Sequence, residues 1–158
     1  MHRLLTIAAS VVAVSAVLAL PAAASPPATA TGTFTTQVVS FNVFRETNGV
    51  AFVHEVDTDT YTGGLVGAAT DTYTSRAVFA NGSQTGDGTE VCNSCTIGGR
   101  TGGYTAVFNF TIPAGGGNFT GTETFISGTG GLAGLHGGGS FQGDGITNTY
   151  SYSYHFDP

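Results

Sequence analysis

The chain has no lysine and no tryptophan, one methionine and two cysteines, and only 9% of its 158 residues are charged. The missing basic side chains exclude the most. Four arginines face ten carboxylates, so the basic footprint that nucleic-acid binding requires is absent. Adhesion to anionic lipid by simple charge attraction is disfavoured for the same reason, and a neutral or weakly polar partner suits such a surface better. Two cysteines rule out a multiply cross-linked scaffold. With no second pair and no close histidine to complete four ligands, they rule out a zinc site too. After Leu20 no stretch is apolar enough to span a membrane as a helix. Disorder, which so little charge would permit, is excluded by eleven Phe and six Tyr interleaved with Val and Thr.

The N-terminus reads as an export signal. Met1-His2-Arg3 is a short positive segment, Leu4 to Leu20 is apolar and uncharged, and Pro21 breaks any helix before the small residues Ala22-Ala23-Ala24. Residues 1–24 are therefore expected to be a cleaved signal peptide, with the cut before Ser25 and a second possible site at Ala30. The rival is an uncleaved anchor, for which an apolar run of about 17 residues is just short of the ~20 that cross a bilayer. The expected product is secreted. Residues 25–30 form a Pro/Ala/Thr tether, and residues 31–158 form one domain, long enough to bury a real core.

From Thr31 onward the hydrophobic period is two. Strands are expected near 31–40, 50–60, 65–79, 89–96, 104–112, 118–126, 139–143 and 149–156, with one short helical turn inside 131–136. Asn48-Gly49, Asn81-Gly82, Gly98-Gly99 and Gly115-Gly116-Gly117 supply residues that tolerate positive φ, as tight hairpins require. The fold class is thus all-β: an antiparallel eight-stranded meander, whose exposed edges are best hidden by closure into a barrel. Two stacked sheets are the alternative.

Alternation divides the strands into faces. Tyr104, Ala106, Phe108 and Phe110 share one side, as do Phe119, Gly121, Glu123 and Phe125, and Tyr150, Tyr152, Tyr154 and Phe156; Ser and Thr dominate the other. Most simply the aromatic side is core. Its sharper reading is a cavity in a barrel wide enough for one small ligand, with Phe108, Phe110, Phe125, Tyr152 and Tyr154 as lining residues. Glu123 lies on that aromatic register, His54 on the register of Phe52 and Val56, and Asp71 on that of Tyr73. Together they are the acid/base candidates for a barrel interior; singly, each is better served by a local bulge that turns it to water. Glu55, Asp57 and Asp59 read as a solvated face with no calcium-loop pattern.

Cys92-Asn93-Ser94-Cys95 is expected to be a disulfide in an exported chain. A continuous strand would hold the two positions roughly 10 Å apart, beyond bonding reach, so a bond demands a sharp turn at Asn93-Ser94. A redox role would need a helix N-terminus to acidify a thiol, and none is expected. Gly128-Thr129-Gly130-Gly131 is followed by no Gly-Lys-Ser/Thr, and Gly-x-Ser-x-Gly does not occur. No cofactor and no metal are expected.

The segment from Ser127 to Phe141, SGTGGLAGLHGGGSF, resembles the closing motif of a bacterial family of unknown function related to the allene oxide cyclase barrel. Ala30-Thr31-Gly32-Thr33-Phe34, the Gly98–Gly103 hairpin and the Tyr-rich strand from Tyr150 to Phe156 resemble that family as well. The resemblance implies an eight-stranded barrel, similar also to the plant dirigent proteins, and implies no particular reaction. The leader and the cysteine pair depart from the commoner members. The expected role is a secreted barrel that binds a small apolar or weakly polar ligand or serves as an extracellular interaction module. The alternatives are an isomerase or cyclase that shapes its substrate in the cavity, and a structural envelope protein.

Overall fold

The computed structural model describes residues 26–157; the expected signal peptide, residues 1–24, lies outside the described residues. Eight antiparallel strands follow one another: β1 (Ala28–Thr47), β2 (Val50–Gly63), β3 (Leu65–Val78), β4 (Ser83–Ile97), β5 (Arg100–Ile112), β6 (Phe119–Gly128), β7 (Leu135–Gly143) and β8 (Asn148–Phe156). Each pairs with its sequence neighbour, and β1 pairs with β8, so the sheet closes into a barrel. That closing ladder, Ala28–Phe34 against Asn148–Tyr154, sets the stacked-sheet alternative aside. It also corrects the tether. Ala28 to Ala30 belong to the ladder, and Ala30 is buried in the core cluster, packed close against Gly64.

Three strands extend well beyond their alternating stretches; β1 runs on past Ser40 to Thr47 beside β2. β4 begins at Ser83, where Gly86 and Gly88 leave no hydrophobic pattern, yet both neighbours supply ladder partners. Likewise β7 takes in Leu135 to Gly138, whose backbone pairs with β8 although two of the four residues have no side chain. Backbone hydrogen bonding, not side-chain pattern, makes these segments strand. Positive φ at Asn48, Gly49, Gly82, Gly98, Gly99 and Gly115–Gly117 matches the turn signals.

The two ends of the barrel differ. One carries the β2–β3, β4–β5 and β6–β7 connections and is plugged by Leu65, Ile97, Leu132 and Leu135, each almost wholly buried. A single 3-10 turn, Gly130–Leu132, swings Leu132 into the plug. Gly128 is what lets it approach, since a Cβ there would lie 1.9 Å from the Leu132 carbonyl oxygen. Here too Cys92 and Cys95 are bonded. An irregularity in the β4 ladder brings their Cα atoms to 6.0 Å, which supplies the departure from a straight strand that the bond requires.

The other end is open. β1 pairs with β8 only as far as Phe34; from Thr35 to Thr47 it continues beside β2 alone. The overhang bears exposed Val38, Val39, Phe41, Val43 and Phe44.

Candidate functional site

A cavity of about 360 Å³ occupies the open half of the barrel. Its upper wall is aromatic and apolar: Phe34, Phe108, Phe119 and Phe141 meet at ring-centroid distances of 6.0–6.4 Å, with Phe41, Phe110 and Ile112 toward the mouth. Gly88 makes room for this wall. A Cβ there would lie 2.4 Å from that of Tyr73 and 2.9 Å from the Phe108 ring, which meet edge to face.

Six buried carboxylates line the same cavity: Glu55, Asp57 and Asp59 from β2, Asp71 from β3, Glu90 from β4 and Glu123 from β6. Strand register stacks them. Asp57 lies opposite Asp71, Asp71 opposite Glu90, and Tyr73 opposite Glu55. Tyrosines supply the donors: Tyr73 to Asp57 at 2.9 Å, Tyr61 to one oxygen of Glu90 at 2.6 Å, Tyr104 to the other, and Tyr152 to Glu123 at 2.5 Å. One oxygen each of Asp57, Asp59, Asp71 and Glu123 has no partner. No basic side chain among the described residues lines the cavity. Arg45 lies over the Phe52 ring and Arg100 over that of Phe156, and all three described arginines are exposed.

Removal from water without a compensating cation disfavours the charged forms. Burial pushes the Asp59 carboxyl up to about 7, helped by Glu90 and opposed by a hydrogen bond from Thr36. Asp71 is pushed up to about 11, first by burial and then by the charges of Glu90 and Asp59. Glu123 is raised by burial and by Glu90. Glu90 is raised by burial while its tyrosine donors pull it down. Glu55 and Asp57, nearer the mouth, are raised mainly by burial.

Of the acid/base candidates, Glu123 and Asp71 come together inside the barrel and His54 does not. His54 is exposed on the outer face, because β2 turns its other register inward: Ala51, Val53, Glu55, Asp57, Asp59 and Tyr61. The reading of Glu55, Asp57 and Asp59 as a solvated face is thereby corrected. They share parity with buried Val53 and Tyr61, a signal present in the sequence but masked by the apolar Phe52 and Val56 on the outer register. Glu90 was missed; its cue is the shared parity with Cys92. Of the expected lining residues, Phe108 and Phe110 line the cavity. Phe125, Tyr152 and Tyr154 sit in the core below it.

Chemically, the site offers apolar walls, hydrogen-bond acceptors and protonated carboxyls, and it disfavours anions. Asp59, Asp71 and Glu90 form the group of oxygen donors close enough to hold a cation.

No family model and no curated protein matches the chain. A solved structure is similar: a protein of unknown function from the DUF3224 family of Shewanella oneidensis MR-1, with a TM-score of 0.67 and 18% sequence identity over 84% of this chain and 99% of that one. At that identity the likeness establishes a shared all-β fold and leaves the role open.

Proposed function

We propose that the protein is a secreted barrel that binds a small ligand in its open half, with an apolar body against the aromatic wall and a hydrogen-bond-donating or cationic head toward the carboxylates. The single observation that carries the reading is the open cavity of about 360 Å³, walled by phenylalanines and floored by acids. Its volume falls within the range of small-molecule sites. A structural envelope protein would have no use for six buried carboxylates in an open cavity, since each weakens the fold. The allene-oxide-cyclase-like subtype of the barrel draws support from the Gly-rich run at 127–141, which supplies Leu132 and Leu135 of the end plug and most of β7.

Ligand binding is tested with the neutral fluorophore N-phenyl-1-naphthylamine. Saturable enhancement is expected for the wild type and not for Thr36→Phe, which sets a ring into the cavity. Absence of saturable enhancement, or an unchanged response in the variant, would overturn the reading. Export is tested by expressing the full chain in a bacterial host and reading the N-terminus by mass spectrometry. Ser25 as the first residue of extracellular protein is expected; cell-bound protein that retains residues 1–24 refutes it.

One observation favours a second reading, an isomerase or cyclase. Glu123 is buried, accepts from Tyr152 and keeps one oxygen free, which suits a neutral acid poised to protonate a bound substrate. Glu123→Gln would abolish such turnover; unchanged turnover would end its acid role.

A further inference from the structure

We propose that Asp59, Asp71 and Glu90 bind a hard divalent cation of the Ca²⁺, Mg²⁺ and Mn²⁺ class at the floor of the cavity. The three side chains come from β2, β3 and β4, and one oxygen of each lies within 4.8 Å of the others. Three oxygens no more than 4.8 Å apart lie within about 2.8 Å of a common centre, so small side-chain adjustments, with no strand movement, bring all three to the 2.3–2.6 Å of calcium coordination.

Proximity alone would be a cluster of acids. What points to a ligand is the unused coordination capacity. Asp59 and Asp71 are only 4% and 8% exposed, and an oxygen of each has no hydrogen-bond partner. Glu123, 3% exposed and lining the same cavity, leaves a further oxygen without one. Buried polar atoms in folded proteins are nearly always paired, and those that are not call for an unseen water or ion. No arginine or histidine among the described residues lines the cavity. His54 and His136 are exposed, while His155 is bridged to Asp157 at 3.4 Å. The tyrosines beneath fix Glu90 by donating to both its oxygens, and each oxygen keeps a lone pair free for a metal.

The donor set also selects the ion. Carboxylates and phenols, with neither thiolate nor imidazole, suit hard cations over zinc or copper. The open cavity above supplies an entry path and room for the waters that complete six- to eightfold coordination. Linear spacing hid the site, since the ligands come one from each of three strands. The organic ligand's apolar body lies against the aromatic half above, so the two sites adjoin within one cavity and the cation takes the carboxylate floor.

The test is thermal unfolding of the chelator-stripped protein at neutral pH, with Ca²⁺, Mg²⁺, Mn²⁺ or Zn²⁺ added singly, alongside calorimetric titration. At least one of the first three is expected to raise Tm by about 5 °C or more at a hundredfold excess over Kd, with one ion per chain. Asp71→Asn and Glu90→Gln should abolish the rise. Asp71→Asn is isosteric and leaves no tyrosine donor unpaired, so its metal-free Tm should stay near that of the wild type, which separates lost binding from lost folding. Glu90→Gln takes an acceptor from Tyr61 or Tyr104, so circular dichroism is used to check that it is folded. No saturable rise with Ca²⁺, Mg²⁺ or Mn²⁺, a response to Zn²⁺ alone, or a full response in both variants would overturn the proposal. Fluorophore binding is scored separately, so failure of either reading is seen apart from the other.

Discussion

Asp71 and Glu90 are direct partners across the β3–β4 ladder, and both carboxyls point into the barrel. Like charges in that position oppose one another, and burial strengthens the repulsion. In the metal-free protein the conflict is relieved by protons, which makes the fold sensitive to pH.

The sign follows from the raised values. A carboxyl that binds its proton more tightly in the fold than in the unfolded chain lends stability that is complete below the unfolded value, about 4. That stability is lost as pH rises through the folded value, about 7 for Asp59 and about 11 for Asp71. The groups facing them are Asp57 from β2, Glu90 from β4, Glu123 from β6 and the phenols of Tyr61, Tyr104 and Tyr152, with no basic partner lining the cavity. The urea midpoint in chelator is therefore expected to fall steadily between pH 5 and pH 9. A flat or rising profile would contradict the buried acidic floor.

Tyr150 ties the barrel wall to the β2–β3 corner. Its hydroxyl accepts from the Leu65 N–H at 2.8 Å and donates toward the carbonyls of Thr62 and Leu65 at 3.0 and 3.1 Å. Tyr150→Phe keeps the ring and strands a buried N–H. The expected loss is about 1–3 kcal/mol, read from urea unfolding. A loss below a few tenths would mean that water replaces the hydroxyl.

The Cys92–Cys95 bond closes a very short loop, so its effect on the unfolded chain is small for a disulfide, about 2 kcal/mol. The double variant Cys92→Ala/Cys95→Ala should remain folded by circular dichroism and lose about that much. Complete unfolding at 25 °C would show that the bond holds the plugged end together.

Much of the barrel was legible because its turns and aromatic stripes are local properties. Asn48-Gly49 and Gly98-Gly99 announce hairpins by φ alone. Tyr150, Tyr152, Tyr154 and Phe156 face inward as their alternation requires. Phe41 to Thr47 of β1 was read short because its side chains are exposed on both faces, and two further segments lost their pattern to glycine, at Gly86 and Gly88 and at Gly137 and Gly138. There the ladder is held by neighbouring backbone that a single strand does not describe.

The sequence by itself determined the all-β class, the strand count, most hairpin positions and the inward side of β5, β6 and β8, because period-two alternation and positive-φ residues act within a few positions of themselves. Only the tertiary structure decided the face of β2. Its two registers are both partly apolar, and closure of the barrel put Val53 and Tyr61 inside and carried Glu55, Asp57 and Asp59 with them. It also decided that Asp59, Asp71 and Glu90 meet, since ladder register across three strands sets their separation and no spacing along the chain encodes it.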